Sequence, residues 1–202
     1  MEFGTWLLYS LAAIGLSLTP GPNGLLALTH GALYGTRRTI ATILGGNLGF
    51  TLVIAMSMFG IGALLQASSE LFVILKWLGG AYLVFLGIQV WRSAPIGIEV
   101  GQDKKATSNF SRFQAGLLSA VTNPKGILFF VAFLPQFIDP EGSLLLQFAV
   151  MAATFAVIEF LYELGVASLA DRIQPFLKRA GKNFNRFFGS VFMAIGVLLP
   201  LR

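Results

Sequence analysis

Six stretches of this chain are each long and apolar enough to cross a lipid bilayer, and little is left between them. A spanning helix needs about 20 mostly apolar residues. The stretches are residues 4–28, 40–65, 71–90, 114–137, 144–169 and 185–201. They predict an all-α integral membrane protein of six transmembrane helices in one compact domain, with no room for a soluble domain. Composition agrees. Only 11% of the 202 residues are charged and 55% are hydrophobic, against about 25% charged in a soluble domain. Cysteine is absent, which excludes disulfides, thiol relays and thiolate metal sites. The first stretch has no basic leader, since Glu2 is its only early charge. It reads as a retained span rather than a signal peptide.

The charges give an orientation. Arg37 and Arg38 follow the first stretch. Arg92, Lys104, Lys105 and Arg112 follow the third, and Arg172, Lys178, Arg179, Lys182 and Arg186 follow the fifth. The turn after the second offers Glu70, with Lys76 just inside the next helix; the turn after the fourth offers only Asp139 and Glu141. Basic residues thus alternate between loops, as the positive-inside rule requires. The loops after spans one, three and five are expected in the cytoplasm and both termini outside. The net charge of +5 is read as topology and contact with anionic lipid, not as nucleic-acid binding. Residues 93–111 are polar and rich in turn formers, and read as a linker between two halves. The expected organisation is a first three-helix unit over 1–92, a cytoplasmic linker over 93–113 and a second unit over 114–202.

The two halves resemble each other. At an offset of 102, SLTPGPNG from residue 17 falls on SAVTNPKG from residue 119, with Pro22 on Pro124 and Gly24 on Gly126. At an offset of 110, KWLGGAYLVFLG from residue 76 falls on RFFGSVFMAIGV from residue 186, with Gly79 on Gly189. A repeat with an odd number of spans places its second copy upside down, so the plan is a 3+3 inverted repeat, as in secondary transporters.

Both aligned segments carry prolines in the middle of an apolar stretch. Proline stops a helix and is welcome at the first position of the next. Asn123 is a good N-cap with Pro124 behind it, and Thr19-Pro20 or Gly21-Pro22 can do the same in the first span. Freed backbone groups at that depth are tolerated only where protein or a water-filled cavity satisfies them. The start of a half-helix carries partial positive charge and unused N–H groups, which attract a carboxylate. Helices one and four are therefore expected to be broken, with two half-helix starts facing one midplane site. The competing reading is a structural kink.

Few other polar residues lie within the spans, where charge is costly and usually functional. Lys125 sits beside the second break. Glu159 and Glu163 are four apart and share one helix face. One of them either pairs with Lys125 or carries a coupling proton. Asn47, in GGNLG, either contacts substrate or cross-links helices that small residues bring close. His30, the only histidine, reads as a surface residue near the cytoplasmic boundary. No Walker P-loop, no H-E-x-x-H and no G-x-S-x-G is present, so no catalytic residues, no metal ligands and no cofactor are expected.

At TPGPN the residues become specific enough to carry a resemblance. Thr19–Asn23, the basic turn from Gly35 to Arg38, GGNLG at 45–49, WLGGAYLVFLG at 77–87, NPK at 123–125 and the final glycine-spaced segment at 189–196 resemble the LysE/RhtB family of bacterial amino-acid exporters over essentially the whole length. The resemblance implies a small six-span protein of the bacterial inner membrane. It implies efflux of amino acids or close derivatives driven by the proton motive force. Thiol-disulfide electron carriers of the wider superfamily need membrane cysteines, which this chain lacks. The Glu159–Glu163 pair departs from the general family pattern.

Together these readings predict a secondary transporter, not an enzyme, with an amino acid, protons and the lipid bilayer as partners; a homo-oligomer is left open. Thr19, Pro20, Pro22, Asn23, Asn47, Asn123, Pro124 and Lys125 are expected to bind substrate. Glu159 and Glu163 are expected to bind its ammonium or a proton. Alternating access would follow from rocking of one repeat against the other. The alternative is a divalent-metal or ion exporter or channel of the same superfamily.

Overall fold

A computed structural model of the chain describes residues 1–19, 21–67, 69–92 and 108–198. These form eight α-helices and one short 3-10 turn, with no strand among them. The helices are α1 (Phe3–Leu18), α2 (Pro22–Tyr34), α3 (Thr36–Ala67), α4 (Ser69–Arg92), α5 (Asn109–Val121), α6 (Pro124–Phe133), α7 (Leu144–Ser168) and α8 (Ala170–Leu198).

Both expected breaks occur. α1 and α2 meet at a bend of 55°, and α5 and the helix beyond it at 50°. Pro22 opens α2 and Pro124 opens α6, each at the position where a missing amide hydrogen costs nothing. Pro20 lies outside the described residues. By length and composition two helices are apolar enough to cross a membrane, and up to four spans if each bent pair counts as one. The third and sixth expected spans fall on α4 and on Asn185–Leu198 of α8, a shorter apolar segment.

Three expectations change. The basic residues from 172 to 186 lie on a continuous helix rather than in a loop, because only Leu169 separates α7 from α8. The sequence there repeats Ile173, Leu177, Phe184 and Phe188 at helical spacing, the signature of an amphipathic helix. Arg112 is a buried packing residue of α5 rather than a loop charge. It donates to the Arg38 carbonyl at 3.1 Å and to Asn109 Oδ1 at 2.5 Å, and lies over the Tyr34 ring. His30 is not a free surface residue. It is half-buried, with Nδ1 2.7 Å from Thr42 Oγ1 and its ring edge-on to Tyr34.

Small residues set the packing. A Cβ at Gly45 would strike the Phe113 carbonyl of α5, and one at Gly116 would strike the Thr42 carbonyl of α3. α3 and α5 therefore touch backbone to backbone, as the GGNLG segment predicts. α4 and α8 cross where a Cβ at either Gly87 or Gly189 would lie 2.6 Å from the other's carbonyl oxygen. Away from these contacts an aromatic core fills the molecule. Tyr9, Phe129, Phe130, Phe133, Phe137, Phe155 and Phe192 are fully buried in it, and the Tyr9 hydroxyl donates to the Met151 carbonyl at 2.9 Å. Exposed Leu44, Leu48, Leu52 and Met56 recur every fourth residue along α3. An apolar exposed stripe of that kind suits lipid rather than water.

Candidate functional site

The two breaks face one small cavity. Leu16, Ser17 and Thr19 at the end of α1, Gly21, Asn23 and Gly24 at the start of α2, and Asn123, Lys125 and Gly126 at the start of α6 line it. Phe50 of α3 and Phe155 and Glu159 of α7 complete the walls. The cavity is tight as it stands: about 20 Å³ is open to a water-sized sphere, room for about one water.

Of the residues expected to bind substrate, Thr19, Asn23, Asn123, Lys125 and Glu159 stand in these walls. Pro22 and Pro124 open the two helices that supply them. Glu163 is buried one turn along α7, beside Glu159 and the Asn23 amide. Asn47 is not among the walls. Its Oδ1 is buried without a partner, while its carbonyl accepts from Thr51.

The two helix starts differ. At α6 the Asn123 carboxamide oxygen accepts from the amides of Lys125 at 3.1 Å and Gly126 at 3.4 Å. This is a side-chain N-cap of the usual kind. At α2 the corresponding residue is Gly21, in extended backbone, which has no side chain to cap with. The first α2 amide to enter the helical pattern is that of Leu25, which donates to the Gly21 carbonyl. The amides of Asn23 and Gly24 are left without an acceptor among the described residues.

Polar side chains cross between the breaks in both directions. The Lys125 ammonium donates to the carbonyls of Leu16 at 3.0 Å and Thr19 at 2.6 Å. The Leu16 carbonyl also accepts from the Thr19 amide at 3.2 Å, and a cation at the end of α1 suits the helix dipole. In the other direction Ser119 Oγ of α5 donates to Asn23 Oδ1 at 2.6 Å. Asn23 and Lys125 occupy matching places at the 102-residue offset, so each meets, from the start of its own half-helix, the end of the first half-helix of the other bent pair. Two of the three Lys125 ammonium hydrogens are thus taken by backbone carbonyls, and the group feels the charge of Glu159.

Glu159 is the unsettled group. Only 4% of it is exposed, and its Oε2 has no hydrogen-bond partner. Ser17 is also buried and stands beside it, its Oγ at no normal hydrogen-bond distance from any partner. A buried polar atom left bare costs about 1–3 kcal/mol, so the Glu159 oxygen favours a ligand that supplies a donor. The walls hold both charge signs within one cavity, which is what a zwitterion requires.

Ser17, Ser119, Phe50 and Phe155 were not singled out from the sequence. The two serines were detectable, since they open both aligned segments, SLTPGPNG and SAVTNPKG. The phenylalanines were not, because nothing marks two of 19 as facing a cavity.

Comparison with known proteins gives the lineage. The chain is 37% identical over 202 residues to an uncharacterized membrane protein of Vibrio cholerae, covering 98% of both chains. It is 37% identical over 201 residues to a homoserine/homoserine lactone efflux protein of Salmonella typhimurium, covering 98% of this chain and 97% of that one. It is 28% identical over 204 residues to a leucine efflux protein of Klebsiella pneumoniae, covering 98% and 96%. No solved structure matches. The LysE type translocator profile matches residues 14–202. A helical chain with two broken apolar spans around a buried polar cavity, matched over nearly its whole length by that profile and by named efflux proteins, belongs to the LysE type translocator family.

Proposed function

We propose that this protein exports amino acids or close derivatives across the bacterial inner membrane, by proton antiport with alternating access. One observation carries the reading: the cavity between the two helix breaks holds a lysine ammonium and a buried carboxylate with one oxygen unpartnered, those of Lys125 and Glu159. Relatives named for homoserine, homoserine lactone and leucine efflux support it. Those three molecules share an α-ammonium, and the lactone lacks a free carboxylate. Glu159 is accordingly the ammonium receptor, with Ser17 beside it. The adjoining Glu159 and Glu163 carboxyls carry the exchanged proton. The crossed contacts of Asn23 and Lys125 support two inverted repeats, residues 1–92 and 114–202, joined through 93–113 and rocking against each other. In this arrangement both termini are external.

The test uses bacteria lacking their own exporters, fed dipeptides with and without this protein. Free amino acids in the medium are quantified. Release of homoserine or another neutral amino acid, abolished by an uncoupler and by Glu159→Gln, is the expected result. No amino-acid release with the protein present in the membrane, together with increased metal tolerance, overturns it in favour of metal export.

A further inference from the structure

The inequality of the two helix starts locates the carboxylate more closely than the repeat alone does. Resting on the export reading, we propose that the substrate carboxylate binds at the start of α2 only. The amides of Asn23 and Gly24 would hold it, with the Lys125 ammonium alongside. α6 offers nothing comparable, because Asn123 already occupies the amides of Lys125 and Gly126. At α2 the glycine at the capping position supplies no side-chain acceptor, the amides of Asn23 and Gly24 have none among the described residues, and both residues line the cavity. The ammonium stands in the right place: a Cβ on Gly21 would lie 3.2 Å from Lys125 Nζ.

A helix start alone would not make a site. Here Glu159 Oε2 and Ser17 Oγ, on buried side chains lining the same cavity, lack partners. They supply acceptors for an ammonium, while the α2 amides supply donors for a carboxylate. The two complementary ends select an α-amino acid with a free carboxylate. An ester, amide or lactone keeps the ammonium contact and loses the other. α6 contributes differently, since its Lys125 fastens the end of α1 and brings a positive charge to the mouth of α2.

The chain itself supplies the decisive variant. Position 21 corresponds to position 123 at the 102-residue offset. Gly21→Asn therefore gives α2 the cap that α6 already has. The backbone at Gly21, with φ −154° and ψ 172°, accepts any residue, but a Cβ there presses on Lys125 Nζ at 3.2 Å, which two carbonyls hold. A melting temperature no lower than that of the wild type shows that the new cap forms without undoing that contact.

Export of L-homoserine and of L-homoserine lactone is measured side by side in proteoliposomes under an imposed proton gradient. The expected result is that Gly21→Asn lowers the preference for homoserine over the lactone by about tenfold or more, the loss for hydrogen bonds to a charged group. An unchanged ratio overturns the carboxylate assignment while leaving amino-acid export standing. Where the wild type exports another neutral amino acid instead, that amino acid and its ester take the place of this pair; failure to export any amino acid removes the reading beneath it. A second measurement does not depend on the variant folding. In wild-type protein labelled with 15N-glycine, added L-homoserine should shift the Gly24 amide and leave the Gly126 amide in place. Equal shifts at both, or a shift at Gly126 alone, overturn the proposal.

Discussion

Removing the Lys125 ammonium tests whether the contact between the two breaks holds the protein together. Lys125→Met keeps the length of the chain and fills the same space with a flexible apolar group. It deletes two bonds, to the Leu16 carbonyl at 3.0 Å and the Thr19 carbonyl at 2.6 Å. Bonds from charged groups contribute about 1.5–3 kcal/mol each in soluble proteins. In membranes the measured values are smaller, about 0.6 and at most about 1.7 kcal/mol, because the unfolded chain also finds partners there. Two such bonds give a loss of about 1–3 kcal/mol. For a chain of this size 1 kcal/mol corresponds to about 2–4 °C, so the detergent-solubilised protein should melt about 2–12 °C lower by tryptophan fluorescence. The substitution also strips Glu159 of the positive charge it interacts with. Glu159→Gln should therefore cost less in the Lys125→Met background than in the wild type, with a coupling of about 1 kcal/mol or more. Costs that add to within about 0.5 kcal/mol, or an unchanged melting temperature for Lys125→Met, would refute the reasoning.

Two further substitutions test the packing. Gly116→Ala places a methyl group against the Thr42 carbonyl and the Gly46 amide, where only backbone could yield. It should destabilise by about 1–3 kcal/mol, whereas Gly165→Ala, with nothing within 4 Å, should be neutral or slightly stabilising in the same melting assay. Tyr9→Phe removes the 2.9 Å bond to Met151 that ties α1 to α7, and should lower stability by about 1 kcal/mol, read as a small fall in melting temperature without loss of membrane insertion.

What could be read from the sequence was what single residues dictate locally. Pro22 and Pro124 marked the two helix starts because proline acts on its own backbone. GGNLG marked a close approach because only small residues permit one. The boundaries of α8 escaped for the opposite reason. A run of basic residues between apolar stretches looks like a loop by composition, and its helical state rests on an amphipathic period that charge counting ignores. The site was half legible. Types and offsets pointed to Asn23, Asn123, Lys125 and Glu159, but not to the partners that settle their roles. Asn123 as a cap was foreseeable from Asn-Pro. That Lys125 bonds the carbonyls of Leu16 and Thr19 rather than a carboxylate depends on how two distant segments meet.

The crossing of α4 and α8 at Gly87 and Gly189 has a mechanical consequence. Where two helices meet through bare backbone, no side chains interlock at the point of contact. The contact is closed on both sides as well: a Cβ on Gly87 would also lie 2.7 Å from Met193 Cγ, and one on Gly189 2.8 Å from the Trp91 amide nitrogen. The crossing therefore has no slack for even one methyl group, and two hydrogen atoms in place of side chains define how near the two helices come.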